Sequence, residues 1–245
     1  SKRASSSTAA AAHVSSSLRE LDLYIAELLG SGVPVDYVPG WHDPTNANWP
    51  QRPMHSCLLP TSCGYADLFG RGTNPYEVVL GRDDDGDESG GVMVLGSDGL
   101  NVADLRRYLV KNMPKERGGR EDEEDGIEVG AASCMDALNR TLKYGHIAPT
   151  GPDSLPTFPS SESDPFVLED RPSVYFAGNC DEFDTRLVDA NGDEILEDIN
   201  NATKDRRNDV TRLVCIPSFA ITGEVVLVKL RSLECQVVSF NDASL

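Results

Sequence analysis

Polar side chains that can bind a metal ion or transfer a proton stand just past the ends of predicted helices and strands. Many folds place binding or catalysis at such positions, above all at the carboxyl ends of buried strands. Imidazole nitrogens and carboxylate or amide oxygens are ligands for divalent cations, and imidazole also transfers protons near neutral pH. The residues are His42, Asp43, His146, Asn179 and Asp181, with Trp41 beside the first pair.

The first of these positions ends the stretch VPVDYVPGWHDPTN at 33–46. Its β-branched and aromatic beginning predicts a buried strand that runs into a Pro-Gly turn. A glycine followed by a His-Asp pair is similar to the G-N-H-D/E loop of calcineurin-like metallophosphoesterases, in which the Asn binds metal and the His assists the leaving group. Trp41 takes the Asn position, and an indole has no lone pair to give a cation. The loop therefore keeps the pattern of a metal loop but lacks one ligand.

The other two positions have ordinary structural explanations when each is taken alone. A histidine between a helix and a proline-rich turn, such as His146, is most often a hydrogen-bonding residue. A Gly-Asn pair after a strand, as at 178–179, is most often a turn, because both residues tolerate left-handed backbone. Three such turns in this order are more specific together than any one of them.

Composition and charge exclude several classes of function. The 245 residues are 39% hydrophobic, which is enough for a core, and carry a net charge of −18, which argues against direct binding to duplex DNA. Six cysteines without a CxxC pair indicate reduced, buried thiols, and no apolar run reaches membrane-spanning length. Two thirds of the net charge lies in three acidic tracts, which we interpret as solvated loop insertions: 82–91, 115–128 and 189–209.

The order of predicted elements favours an α+β fold. A Ser/Ala-rich linker at 1–16 is predicted to be disordered, and the last third of the chain is rich in strands. Mixed elements that end in consecutive strands favour a β-sandwich flanked by helices over a doubly wound sheet. The predicted helices are 17–30, 102–112 (capped by Asn101) and 131–144 (ending at Gly145); the predicted strands are 33–38, 77–80, 92–95, 173–177, 185–188, 210–216, 224–230 and 236–240.

Several sequence blocks, in the right order, resemble the small (B) subunits of eukaryotic DNA polymerases, most closely the delta type. The resemblance covers about 33–240 except for the acidic tracts. It implies that 17–245 is the C-terminal portion of a calcineurin-like metallophosphoesterase domain, and that this domain is partial and inactive. The blocks are VPVDYVPGWHDPTN (33–46), PMHSCLLP (53–60), TNPYEV (73–78), GLNVADLRRYL (99–109), GHIAPTGPDSLPTFP (145–159), DPFVLEDRPSVYFAGN (164–179) and VCIPSFAITGEVVLVKLRSLECQVVSF (214–240).

The same resemblance implies a degenerate metal site rather than a catalytic one. His42 matches the acid histidine and His146 a ligand histidine, but Asn179 and Asp181 stand where active relatives have the two histidines of G-H-x-H. A two-metal phosphoesterase needs both cations held. We therefore expect no catalytic residue, no metal and no cofactor. The D-x-H and G-D-x-x-D motifs, and an oligonucleotide-binding domain, are expected upstream of this sequence.

The family implies a scaffold in the nucleus that acts in DNA replication and repair. Its partners would be the C-terminal metal-binding domain of the catalytic subunit and a third subunit, with the sliding clamp and DNA reached only indirectly and no membrane contact. Two alternatives stay open. One is a metal-dependent phosphoesterase or 3′–5′ exonuclease like the archaeal relatives; the other is the small subunit of polymerase alpha or epsilon.

Overall fold

The computed structural model describes residues 2–81, 91–114, 127–160, 163–195 and 210–241. Most of each predicted acidic insertion lies outside these ranges. The chain divides into two compact units, unit 1 (Ser1–Tyr76) and unit 2 (Glu77–Leu245). Helices and strands mix in both, which confirms the predicted α+β class. Within the described residues, no helix has the length and apolar character needed to cross a bilayer.

Unit 1 consists of one long helix, a two-stranded parallel sheet and loops. Helix α1 (Lys2–Gly30) starts well before the predicted helix at 17–30 and includes the region predicted as a disordered linker. The alanine tract explains the difference, because alanine has the highest helix propensity and extends the helix that begins to pack further along. Strand β1 (Val35–Tyr37) pairs in parallel with β2 (Phe69–Arg71), in agreement with the strand predicted at 33–38.

A buried carboxylate joins α1 to the loop that precedes β2. Asp22 is only 3% exposed and accepts hydrogen bonds from the Thr61 backbone N–H at 2.9 Å and from the Ser62 N–H and hydroxyl, both at 2.8 Å. Burial by itself would raise the pKa of Asp22, but these hydrogen bonds to the charged form outweigh it and lower the pKa below 3.8. The carboxylate is therefore ionised in the folded chain at neutral pH.

Replacing Asp22 with Ala should lower the free energy of unfolding by about 2–4 kcal/mol at pH 7, because two buried donors of Ser62 and the partly buried Thr61 N–H lose their acceptor. Since the folded pKa is depressed, the stabilisation is present above the unfolded pKa, near 4, and is lost as the pH falls through the folded value. Urea denaturation at pH 7 and at pH 3 measures both effects. The matched control is Glu27→Ala, an exposed carboxylate on the same helix; an equal loss in both variants would contradict the prediction.

Unit 2 is built around a mixed five-stranded sheet. The strands lie in the order β3-β4-β7-β9-β8; β4, β7 and β9 are parallel, and β8 is antiparallel to β9. The bounds are β3 (Tyr76–Leu80), β4 (Val92–Ser97), α2 (Leu100–Arg106), β5 (Val110–Pro114), β6 (Ile127–Ala131), α3 (Cys134–Tyr144), β7 (Val174–Cys180), β8 (Asp184–Val188), β9 (Thr211–Pro217), α4 (Phe219–Thr222), β10 (Glu224–Val228) and β11 (Cys235–Ser239).

Both faces of this sheet are covered. Helix α3 packs on β7 and β9, and the hydroxyls of Thr141 and Tyr175 lie 2.9 Å apart in the core. Burial raises the pKa of Tyr175 to about 12. On the other side the antiparallel hairpin β10–β11 contributes Leu233 to a cluster with Val174 and Val214. The central sheet therefore lies between helices and a β-hairpin, so a second β layer is present but has two strands in the described residues.

A predicted helix and a predicted strand of unit 2 also differ from the structure. The helix predicted at 102–112 is α2 (Leu100–Arg106), and the chain turns into strand β5 soon afterwards. Its N-cap is Gly99, because the Asn101 amide is buried and engaged by other parts of the fold. The strand predicted at 173–177 continues to Cys180 through a β-bulge that contains Gly178. The predicted helix at 131–144 is confirmed as α3, with a capping box at its start and Gly145 at its end.

Candidate functional site

The carboxyl ends of β4 and β7 are neighbours, because the two strands are parallel and paired. After β4 the chain turns through Asp98 and Gly99 into α2, and β7 passes through the bulge at Gly178 just before it ends at Cys180. A Cβ atom on Gly99 would lie 1.9 Å from the Gly178 carbonyl oxygen, and the φ angle of Gly99 is +90°. Only glycine fits this position, so the two strand ends can approach closely.

Asn179 joins these two strand ends through its side chain. Its φ angle of 50° lies in the left-handed region, which asparagine tolerates better than most residues. The side-chain Nδ2 donates to the Asp98 carbonyl oxygen at 2.9 Å. The residue in the place of a family ligand histidine thus has a structural partner in the turn after β4.

Asp181 is paired with an arginine that the sequence did not single out. The Arg106 Nη1 lies 2.6 Å from the Asp181 Oδ2, and the same guanidinium donates to the Ala132 carbonyl at 2.9 Å and contacts the Cys134 Sγ at 3.1 Å. The hydrogen bond to Asp181 raises the pKa of Arg106. A permanent positive charge therefore lies against the carboxylate that a metal ion would need.

The thiols beside this ion pair are protonated at neutral pH. The hydrogen bond to Cys180, followed by burial, raises the pKa of Cys134 well above its usual range. The hydrogen bond from Cys134 acts to lower the pKa of Cys180. The contact of Cys180 with Cys215 and the burial of Cys180 outweigh this effect, so the pKa of Cys180 is raised overall. Both side chains are therefore thiols, held by contacts with each other and with neighbouring groups of the chain.

His146 has partners for both ring nitrogens. Its Nε2 lies 3.0 Å from the Asp164 Oδ2, and its Nδ1 accepts the Ala148 backbone N–H at 3.2 Å. The second bond requires a lone pair on Nδ1, so the proton is on Nε2 and is donated to Asp164. This hydrogen bond, with one from the Phe166 N–H, lowers the pKa of Asp164. Neither nitrogen is left to ligate a cation without breaking one of these bonds.

The remaining predicted site residues lie in unit 1. Asp43 closes its own turn, since its Oδ2 accepts the Tyr37 hydroxyl at 2.9 Å and the Gly40 N–H at 2.7 Å. Burial, followed by the charge of Asp43, raises the pKa of Tyr37. Trp41 and His42 are exposed on the same turn. The loop keeps its shape through hydrogen bonds within the unit.

The structure brings only some of the predicted site residues together. Within the ranges that the structure describes, no three His, Cys, Asp or Glu side chains are placed to hold a metal ion. Asn179 and Asp181 share the end of β7, while His146 lies in the loop after α3 and Trp41, His42 and Asp43 belong to unit 1. Sequence reasoning missed the partners Arg106 and Asp164, because no spacing rule links residues 75 or 18 positions apart.

The comparisons with known proteins agree with the family resemblance that the sequence blocks indicate. A family model that describes the B subunit of DNA polymerases alpha and epsilon matches residues 1–185. "DNA polymerase delta subunit 2" of Drosophila melanogaster is 37% identical over 222 residues, covering 91% of this chain and 41% of its own length. The "DNA polymerase delta small subunit" of Arabidopsis thaliana is 34% identical (91% of this chain, 40% of its own length), and that of Saccharomyces cerevisiae is 30% identical (92% and 43%).

The family model covers residues on both sides of the boundary between the units, from α1 through the bulge at Gly178. The chain spans about two fifths of the length of the curated relatives it matches. Because the family model matches well over half of its residues, the chain belongs to the DNA polymerase alpha/epsilon B-subunit family.

Proposed function

We propose that this chain is part of a non-catalytic accessory subunit of DNA polymerase delta that acts in DNA replication and repair in the nucleus. It would bridge the C-terminal metal-binding domain of the catalytic subunit and a third subunit, and so reach the sliding clamp and DNA indirectly. The relatives at 30–37% identity are named as delta subunits, which favours delta over alpha and epsilon. The net charge of −18 agrees with a role that does not require direct phosphate contacts.

The observation that carries the non-catalytic part of the proposal is the Arg106–Asp181 ion pair. Phosphodiester hydrolysis by two metals requires side chains free to clamp both ions. Here a guanidinium holds Asp181, the Asn179 amide holds the turn after β4, and both nitrogens of His146 are engaged. Groups of the chain thus engage each of these side chains, and a positive charge lies against Asp181.

The fold part of the proposal is that both units come from a calcineurin-like phosphoesterase domain with degenerate metal loops. The central mixed sheet supports this, because it is covered by helices on one face and by the β10–β11 hairpin on the other. The turns at Trp41, His146 and Asn179 follow strand or helix ends in the order the family requires. An experimental structure of the full-length protein tests this directly.

Co-purification tests the choice of polymerase. We expect the tagged full-length protein to retain the catalytic subunit of polymerase delta when it is co-expressed with the catalytic chains of delta, alpha and epsilon, and to retain the other two at background level. Mass-spectrometric quantification of the recovered chains gives the answer. Recovery of the alpha or epsilon chain instead, or of none of the three, contradicts the assignment.

A phosphodiesterase assay tests the absence of catalysis. With bis(p-nitrophenyl) phosphate and Mn²⁺, we expect the full-length protein to give no turnover above that of its His146→Ala variant. The reason is that the Arg106 guanidinium places a positive charge against Asp181, and both ring nitrogens of His146 are hydrogen-bonded within the chain. Metal-dependent turnover that disappears in His146→Ala, with unchanged circular dichroism, would establish the phosphoesterase alternative instead.

A further inference from the structure

A cavity of about 540 Å³ lies in unit 2, beside the loop between α3 and β7. Part of its wall is apolar and consists of the rings of Phe158 and Phe166 and three prolines, Pro152, Pro159 and Pro165. Phe166 is almost fully buried, whereas Phe158 is 43% exposed and presents its ring to solvent. Aromatic and proline surfaces lose little conformational entropy when a ligand packs against them, so the wall is preorganised.

The polar part of the cavity includes the pair formed by His146 and Asp164. Among the described residues, Asp164 Oδ2 accepts from His146 Nε2, and Asp164 Oδ1 accepts the Phe166 N–H at 3.0 Å. A carboxylate oxygen has room for a second donor, and the Asp164 side chain is 50% exposed. Asp164 is therefore fixed in place and still able to accept hydrogen bonds from a ligand.

The charged residues of the loop that lines the cavity have one sign. The described residues from 146 to 170 include four Asp and Glu residues and no Lys or Arg. Asp153 and Asp164, beside and within the cavity wall, are exposed. Such a surface repels phosphate groups and attracts cationic ones.

We propose that this cavity binds a short, extended, basic peptide segment of a partner protein. An aromatic or proline side chain of the peptide packs between Phe158 and the prolines, and a neighbouring Arg or Lys hydrogen-bonds to Asp164. The acidic surroundings favour a basic ligand, and the combination of aromatic and proline walls is the kind used to bind extended peptides. The proposal goes beyond the accessory role in the polymerase, because it assigns a ligand to a surface whose use does not depend on that role.

A phage-displayed library of random 12-residue peptides, selected on the immobilised full-length protein, tests the proposal. We expect enrichment of sequences in which an aromatic residue or proline lies within three positions of Arg or Lys. One enriched peptide is then synthesised, and its affinity for the protein and its variants is measured by fluorescence anisotropy. Failure to enrich any peptide, or enrichment of acidic or uncharged ones, overturns the proposal.

Two variants and one control localise the binding. Phe158→Ala should weaken the peptide at least tenfold, and Asp164→Asn should weaken it several-fold and reduce its dependence on salt. Phe219→Ala, which removes a similarly exposed ring outside the cavity, should leave the affinity unchanged. Equal affinity for Phe158→Ala and the unaltered protein overturns the proposal. Recovery of the polymerase catalytic chain by the same variants is measured in parallel, so that loss of peptide binding is separated from loss of the accessory function.

Discussion

Replacement of Gly99 by alanine should lower the free energy of unfolding of unit 2 by about 2–5 kcal/mol. The left-handed backbone of Gly99 costs an alanine about 1–2 kcal/mol. The new Cβ would also lie 1.9 Å from the Gly178 carbonyl oxygen, and relief of such an overlap by backbone movement costs about 1–3 kcal/mol more. Equilibrium urea denaturation followed by circular dichroism measures the change.

Gly145→Ala is the matched control for this substitution. Gly145 also has a left-handed backbone, with φ of +63°, but within the described residues no atom beyond its chain neighbours lies within 4 Å of where a Cβ would stand. The Gly145→Ala substitution should therefore lower the free energy of unfolding only by the cost of the left-handed backbone, about 1–2 kcal/mol. Equal losses in the two variants would show that the strand ends at Gly99 and Gly178 are not in close contact.

Asn101→Ala should lower the free energy of unfolding by about 2–4 kcal/mol. The Asn101 side chain is fully buried; its Nδ2 donates to the Ile147 carbonyl and its Oδ1 accepts from the Ser97 hydroxyl, both at 2.7 Å. Removal of the amide takes the acceptor from the Ser97 O–H and the donor from the Ile147 carbonyl, each at a cost of about 1–3 kcal/mol. The same substitution should loosen the loop next to His146, which hydrogen exchange of the Ile147 and Ala148 amides would detect.

Asn191→Ala serves as the control for Asn101→Ala. Asn191 is exposed, and its side chain makes one long hydrogen bond, of 3.5 Å, to Asp189 in the same turn. Its removal should change stability by no more than about 0.5 kcal/mol. A small effect at both positions would mean that solvent reaches the Ser97 and Ile147 groups.

Local sequence patterns were sufficient to predict the elements with strong start and stop signals. Helix α3 follows the 3.6-residue spacing of Met135, Leu138 and Leu142 and ends at Gly145, and the structure places it there. The terminal strands have β-branched runs that pattern alone detects. Helix α2 was predicted to start too late, because the polarity of Asn101 suggests a cap while its actual partners, Ser97 and Ile147, are set by tertiary packing. It was predicted to end too late, because the pairing of β5 with β6 takes the residues after it into a strand.

The candidate site was predictable only in part, for a related reason. The motif positions His146, Asn179 and Asp181 follow from resemblance and lie at helix or strand ends as expected. What engages them does not follow from sequence, because Arg106 meets Asp181 only after β4, α2 and β7 have assembled. Side-chain pairing across a parallel sheet edge is a long-range property that no local window contains.

The guanidinium beside Asp181 has one more consequence. A divalent ion exchanges with its surroundings and can be stripped by a chelator or replaced by a competing metal, whereas a charge carried on a side chain is supplied when the polypeptide is made. The end of β7 should therefore keep its geometry at any cellular concentration of manganese or magnesium. EDTA would leave this part of the molecule untouched.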